Sequence, residues 1–223
     1  MIETINLIKD LKIYNAHVLA YPEIGNTEVI RDEFISDTGL IFYSKKRSAL
    51  TPVSFSVEFK GDKKEIRKNR NELSKKLELS TITFDNEVFY RGRFLSKDVD
   101  TRYFYQNITY EGQAIAMLKT QSNEIPIGKK TTIYNNGNLP TPCRIILEGS
   151  GNNVSIKGFK SEIRLKKFEN KVIIDSEKGF LNFGPDNIIE LMEFPYIDDF
   201  VDVEVNGTGD FSCAIEFEGR IIC

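Results

Sequence analysis

Few residues in this chain have the chemistry to act. His17 is the single histidine in 223 residues. An imidazole metal centre needs several histidines, and a nucleophilic serine needs a sharp elbow of the Gly-x-Ser-x-Gly kind. Neither pattern occurs, so His17 reads as a structural histidine. Cys143, Cys213 and Cys223 are odd in number and widely spaced. They fit neither a disulfide framework nor a metal-ligating pair and read as buried, reduced thiols. The densest carboxylate group is Asp198-Asp199, followed by Asp202 and Glu204. Two carboxylates about 5–9 Å apart can cleave a glycosidic bond, and hard oxygens can hold calcium. Neighbours on a strand point to opposite faces, so this group reads first as a solvated turn and a charged strand edge. A glycosidase using Asp198 or Asp199 is the weakest functional reading.

Between Lys60 and Lys76, eight basic residues (Lys60, Lys63, Lys64, Arg67, Lys68, Arg70, Lys75, Lys76) outnumber Asp62, Glu65 and Glu72. Such a surface can neutralise phosphate, but no aromatic side chains interleave to stack on bases. It reads as a solvated helix face, with an acidic protein partner as the second reading. Gly149-Ser150-Gly151 lacks the Lys-Ser/Thr and the following helix of a phosphate loop. Phe89, Tyr90, Phe94, Tyr103, Phe104, Tyr105 and Tyr110 form an aromatic cluster. About half of such rings belong in a core, and an exposed remainder suits an assembly surface or sugar stacking. No catalytic, cofactor-binding or metal-binding residue is assigned, and the chain is expected not to be an enzyme.

Strands must position most of these residues. Ser54 to Phe59 alternates apolar and polar, as a strand with one buried face does. Ser80–Phe84 and Glu87–Tyr90 flank Asp85-Asn86 and predict a hairpin. Arg102–Ala116 predicts a longer strand stretch broken at Glu111-Gly112. Cys143–Leu147, Val154–Ile156, Glu162–Leu165, Lys171–Ile174, Val201–Val205 and Phe211–Phe217 predict short strands. Turn residues at 149–153, Gly158, Gly179, Gly184-Pro185 and Asn206-Gly207 separate them, a spacing that suggests a sandwich. Tyr21–Arg47 reads as a mixture of short strands and extended loop. Asp62–Leu79 is different: it has no Gly or Pro, and Asp62 with Glu65 resembles a capping box. Ile66, Leu73 and Leu77 share one face of the predicted helix.

The length suits one large domain or two ordinary ones. Ser122–Lys130 contains Pro126 and Gly128 among polar residues and reads as a linker. The formal charge of −3 gives no global attraction for nucleic acid or an anionic membrane. The N-terminus lacks the basic and apolar regions of a signal peptide, and no run approaches the roughly 20 apolar residues of a membrane span. The Asn-x-Ser/Thr triplets at Asn107, Asn153 and Asn206 then read as chance.

One succession of motifs carries a family likeness. Asn135-Asn136-Gly137, Pro140 and Pro142 precede a strand starting at Cys143. Ile173-Ile174-Asp175 follows, and then Phe194-Pro195 ahead of Val201, Val203 and Val205. This order resembles the C-terminal half of distal tail proteins, the baseplate hub subunits of long-tailed phages and phage-derived tail particles. The strand at 53–59, helix at 62–79 and hairpin at 80–90 resemble that family's belt domain. Most of the chain is covered. One departure is that the family often has Gly-Asn soon after Phe-Pro, whereas this chain has Asp198-Asp199.

The resemblance implies a mainly β protein. An α+β belt domain with one helix would span 1–128, and an all-β galectin-like sandwich 129–223. It implies a ring, usually a hexamer, at the tail tip or baseplate of a phage or prophage-derived particle, assembled in the bacterial cytoplasm. The tail tube protein would lie on one side and a tail hub, tail-associated lysin or fibre protein on the other. The tape measure protein and DNA would pass through. No cofactor, membrane span or sequence-specific nucleic-acid partner is implied. The alternative is a carbohydrate-binding module attaching a particle or enzyme to a cell surface. It predicts exposed Tyr or Phe on the concave face of the second domain.

Overall fold

The computed structural model describes residues 3–30, 33–35, 41–43, 48–102, 104–182 and 189–223. The chain divides into two units: Met1–Met117 with Ile221–Cys223, and Leu118–Arg220. The sequence reading places the boundary at 128/129, and this division falls at 117/118. Gln121–Glu124, which overlaps the expected linker Ser122–Lys130, is a strand bound antiparallel to 214–217.

In the first unit the strands are β1 (Glu3–Asn6), β2 (Ala16–Val18), β3 (Glu23–Ile24), β4 (Glu28–Ile30), β5 (Glu33–Ile35), β6 (Ile41–Tyr43) and β7 (Ser48–Lys60). Helix α1 (Lys63–Leu77) follows, then β8 (Ser80–Thr83), β9 (Val88–Thr101) and β10 (Tyr105–Leu118). A 3-10 turn at Asp10–Tyr14 links β1 to β2. The main sheet has the order β1-β8-β9-β10-β7-β2, with β3 and β4 also on β7. β7 and β10 pair antiparallel from Tyr105↔Lys60 to Ala114↔Thr51 without interruption. The expected break at Glu111-Gly112 is therefore absent, because Gly112 fits where a Cβ would strike the Arg93 carbonyl.

Local chemistry accounts for the helix and the hairpin. Asp62 accepts hydrogen bonds from the Lys64 and Glu65 amides, both at 2.8 Å, satisfying donors that a helix start leaves orphaned. Ile66, Leu73 and Leu77 are buried, and each such side chain stabilises the fold by about 1.5–3 kcal/mol. At the β8–β9 turn, Asp85 Oδ1 accepts from the Glu87 and Val88 amides while Asn86 adopts a left-handed φ of 65°. Both residues favour that turn chemistry. Under the helix, Phe55 stacks on Tyr110 at 5.5 Å and meets Phe84 and Phe94 edge-on at 6.0 and 5.9 Å. The Tyr110 hydroxyl is satisfied by Ser74 at 2.9 Å.

The second unit contains β11 (Gln121–Glu124), β12 (Lys130–Tyr134), β13 (Thr141–Lys157), β14 (Ile163–Asp175), β15 (Phe180–Asn182), β16 (Ile189–Glu190), β17 (Tyr196–Ile197) and β18 (Phe200–Phe217). The sheet runs β11-β18-β13-β14-β15, with β12 on β18, β16 on β14 and β17 on β13. Three pairs of expected short strands are thus single long ones. What resembled turns at 149–153 and 206–207 are bends within them. Gly149 (φ 115°) pairs with Asn170 (φ 68°), and Gly151 pairs with Gly209 (φ 123°), so the bend runs across all three strands. Ile145 and Leu147 before the bend and Val154 and Ile156 after it enter one apolar core. The sheet folds over that core as the two layers of an all-β sandwich do. The expected turn at Gly184-Pro185 lies outside the described residues.

Candidate assembly surfaces

The motif residues of the second unit, far apart in sequence, converge at one end of its sheet. Asn135 Nδ2 donates to the carbonyls of Leu139 and Asp198 at 2.8 and 2.7 Å, with the Ile197 carbonyl at 3.3 Å. The Asn135 amide donates to the Asp199 carbonyl at 2.9 Å, and its Oδ1 accepts from the Gly137 amide at 2.9 Å. Gly137 lies where any Cβ would strike the Arg220 backbone. Buried Thr141 donates to the Leu139 carbonyl and accepts from the Arg220 amide, both at 3.0 Å. The Pro195 carbonyl accepts from Ser176 Oγ at 2.6 Å and from the Cys143 amide at 3.4 Å. The Asp175 carboxylate accepts from the Glu177 and Lys178 amides, each at 3.1 Å. These groups hold loops to strands.

This clasp presents a rim. Asp198 and Asp199 form the exposed bend between β17 and β18, and neither has a positive φ, so the bend does not require the family's glycine. Among the described residues neither carboxylate has an ion-pair partner. Phe200 follows directly and pairs across the ladder with Tyr134. Their rings lie 6.3 Å apart while remaining 57% and 70% exposed. Tyr196 on β17 is also exposed. The strand alternation held this signal: buried Val201, Val203 and Val205 place Phe200 outward, and buried Ile133 does the same for Tyr134.

The remaining carboxylates are engaged separately. Asp202 accepts from Thr132 Oγ1 at 2.6 Å and pairs with Lys130 at 2.7 Å. The Lys130 bond, aided by Thr132, holds its carboxyl below the usual aspartate range. Glu204 accepts from Asn206 Nδ2 at 2.8 Å. Among the described residues no group of three or more His, Cys, Asp or Glu is placed to hold a metal ion.

In the first unit, the basic residues divide. Lys76 pairs with Glu3 at 2.7 Å and Lys60 with Glu58 at 3.1 Å. Arg70 reaches Gln106 at 3.4 Å. Lys64, Arg67, Lys68 and Lys75 are exposed and form no ion pair among the described residues. Helical spacing puts Lys64, Lys68 and Lys75 opposite buried Ile66. His17, half exposed, lies 3.6 Å from Glu58 and serves as a surface partner on the sheet. Tyr90, Phe94 and Tyr110 are buried, Phe89 and Tyr105 half-buried, and Phe104 is 72% exposed. Tyr103 lies outside the described residues. Cys143 and Cys213 are buried, and burial pushes both thiols up, Cys213 to about 12. Cys223, expected to be buried, is exposed.

A second surface in this unit had no signal in the sequence. β8 pairs with β9 only as far as Gly92. Beyond it, Leu95–Thr101 is exposed at every residue, with Leu95 and Val99 on one face at 46% and 50% exposure. Among the described residues no strand covers that edge of β9. Among them, too, no helix is long and apolar enough to cross a membrane.

No protein-family model matches the chain, and no curated protein sequence matches it. A solved structure does. The crystal structure of the phage SPP1 Dit (gp 19.1) protein is described as a paradigm of the hub adsorption apparatus in phages infecting Gram-positive bacteria. It matches with a TM-score of 0.60 at 12% identity, over 95% of this chain and 96% of that one. The chain therefore shares the fold of that Dit protein along nearly its whole length.

Proposed function

We propose that this chain is a distal tail protein: a non-enzymatic hub subunit that closes into a ring at the tip of a phage or phage-tail-like particle. The ring joins the tail tube protein to a hub, lysin or fibre protein and lets the tape measure and DNA pass. The observation that carries this reading is the end-to-end fold likeness to SPP1 Dit, covering 96% of that chain as well. The motif order at 135–205 supports it independently of the fold comparison. The β9 edge, which no strand covers among the described residues, supports self-association of the kind a ring uses. A bare strand edge bearing Leu95 and Val99 is a template for another chain, and in a cyclic assembly each copy covers its neighbour's. Assembly belongs in the host cytoplasm, and the finished subunit at the tail tip.

Deletion from the parent genome tests the role. Electron microscopy is expected to show tails that fail to form or that lack a tip structure, restored by the gene supplied in trans. Normal, adsorbing particles without this protein would rule the role out.

A further inference from the structure

The rim of the second unit is built to be met by something cationic. The clasp around Asn135 fixes Asp198 and Asp199 through their backbone carbonyls, leaving both carboxylates free and solvated. Beside them in sequence and register, Phe200 and Tyr134 present two rings to solvent. An exposed aromatic pair next to unpaired carboxylates suits a lysine or arginine, which pairs with the carboxylates and sits over a ring face. The same chain carries a complement. α1 displays Lys64, Arg67, Lys68 and Lys75, unpaired among the described residues, on a well-capped helix. A surface and its complement at different places on one chain make a head-to-tail contact, the kind that closes rings.

We propose that the rim formed by Tyr134, Asp198, Asp199 and Phe200 docks the basic face of α1 from a second copy of this chain. The contact rests on the ring-forming role proposed above and adds to the β9 edge a salt-sensitive junction between neighbouring subunits.

Charge reversal tests it on the full chain. Asp198→Lys with Asp199→Lys forms one variant, Lys64→Glu with Lys68→Glu a second, and the four changes together a third. None removes a side-chain bond of the clasp, and acidic residues near a helix start favour the helix. Sedimentation velocity at low ionic strength measures self-association, and thermal melting checks the fold. Each double reversal is expected to weaken association about tenfold or more, and the combination to recover most of it. Added salt is expected to weaken the wild type. Wild-type rings indifferent to both reversals, or no recovery in the combination, would overturn this contact while leaving the ring standing. A wild type that stays monomeric alone and with tail tube protein would overturn both. Saturable binding of chitotriose at Tyr134 and Phe200, with assembly unaffected by the reversals, would reassign the rim to a sugar.

Discussion

At the scale of single residues, the chain places its reactive groups where they support structure. The thiols divide cleanly. Burial raises the pKa of Cys143 and Cys213, suppressing the thiolate that reacts, while Cys223 is exposed. A thiol reagent at mildly alkaline pH should label one cysteine per native chain quickly and the other two only on unfolding. Rapid labelling of all three would contradict the buried positions. Asp202 offers a pH signature. Its folded pKa is lowered by Lys130 and Thr132, so the stabilisation it contributes is full above the ordinary carboxylate range. That contribution fades as pH falls through the lowered folded value. Asp202→Asn should therefore melt below wild type at neutral pH and converge with it in strong acid. A gap that widened in acid would reverse the sign. Asn135 and Gly137 were legible as motif residues, but their work was not. Asn135 binds backbone 63 residues away at Asp198, and Gly137 makes room for Arg220, and neither partner is visible in a linear pattern.

At the scale of elements, local signals are legible in the sequence and long strands are not. The helix was legible because its cap, its apolar spacing and its lack of breakers are all local. Asp62→Ala should cost about 1 kcal/mol, measured by urea denaturation, through loss of two amide partners. No loss would mean that water replaces the cap without penalty. In the second unit, glycines that read as turns are bends inside β13 and β18. A left-handed φ serves both purposes, and only pairing partners across the sheet distinguish them. The β9 edge was invisible for a related reason: exposure there depends on where β8 stops, not on the composition of β9. Leu95→Lys with Val99→Lys should abolish or sharply weaken assembly, since lysine blunts an open edge. Melting should change little, because exposed substitutions usually shift stability by within about 0.5 kcal/mol. Intact oligomers in that variant, seen by light scattering, would remove β9 from the junction.

At the scale of the whole molecule, the described residues divide between packing and exposed surface. Two apolar cores form, one under α1 and one within the bent sheet. Among the described residues, the exposed groups include a strand edge that no other strand covers, an aromatic-acidic rim and a basic helix face. All three are features of association more than of catalysis. The mainly β fold class could be read from alternation and motif order. The assembly surfaces could not, because they are defined by what the fold leaves uncovered. The central claim is ring formation, and native mass spectrometry of the purified chain, alone and mixed with the tail tube and hub proteins, tests it most directly. The account predicts a single closed oligomer of fixed number, six by the family resemblance, with no ladder of higher species. A monomer under every one of these conditions would contradict it.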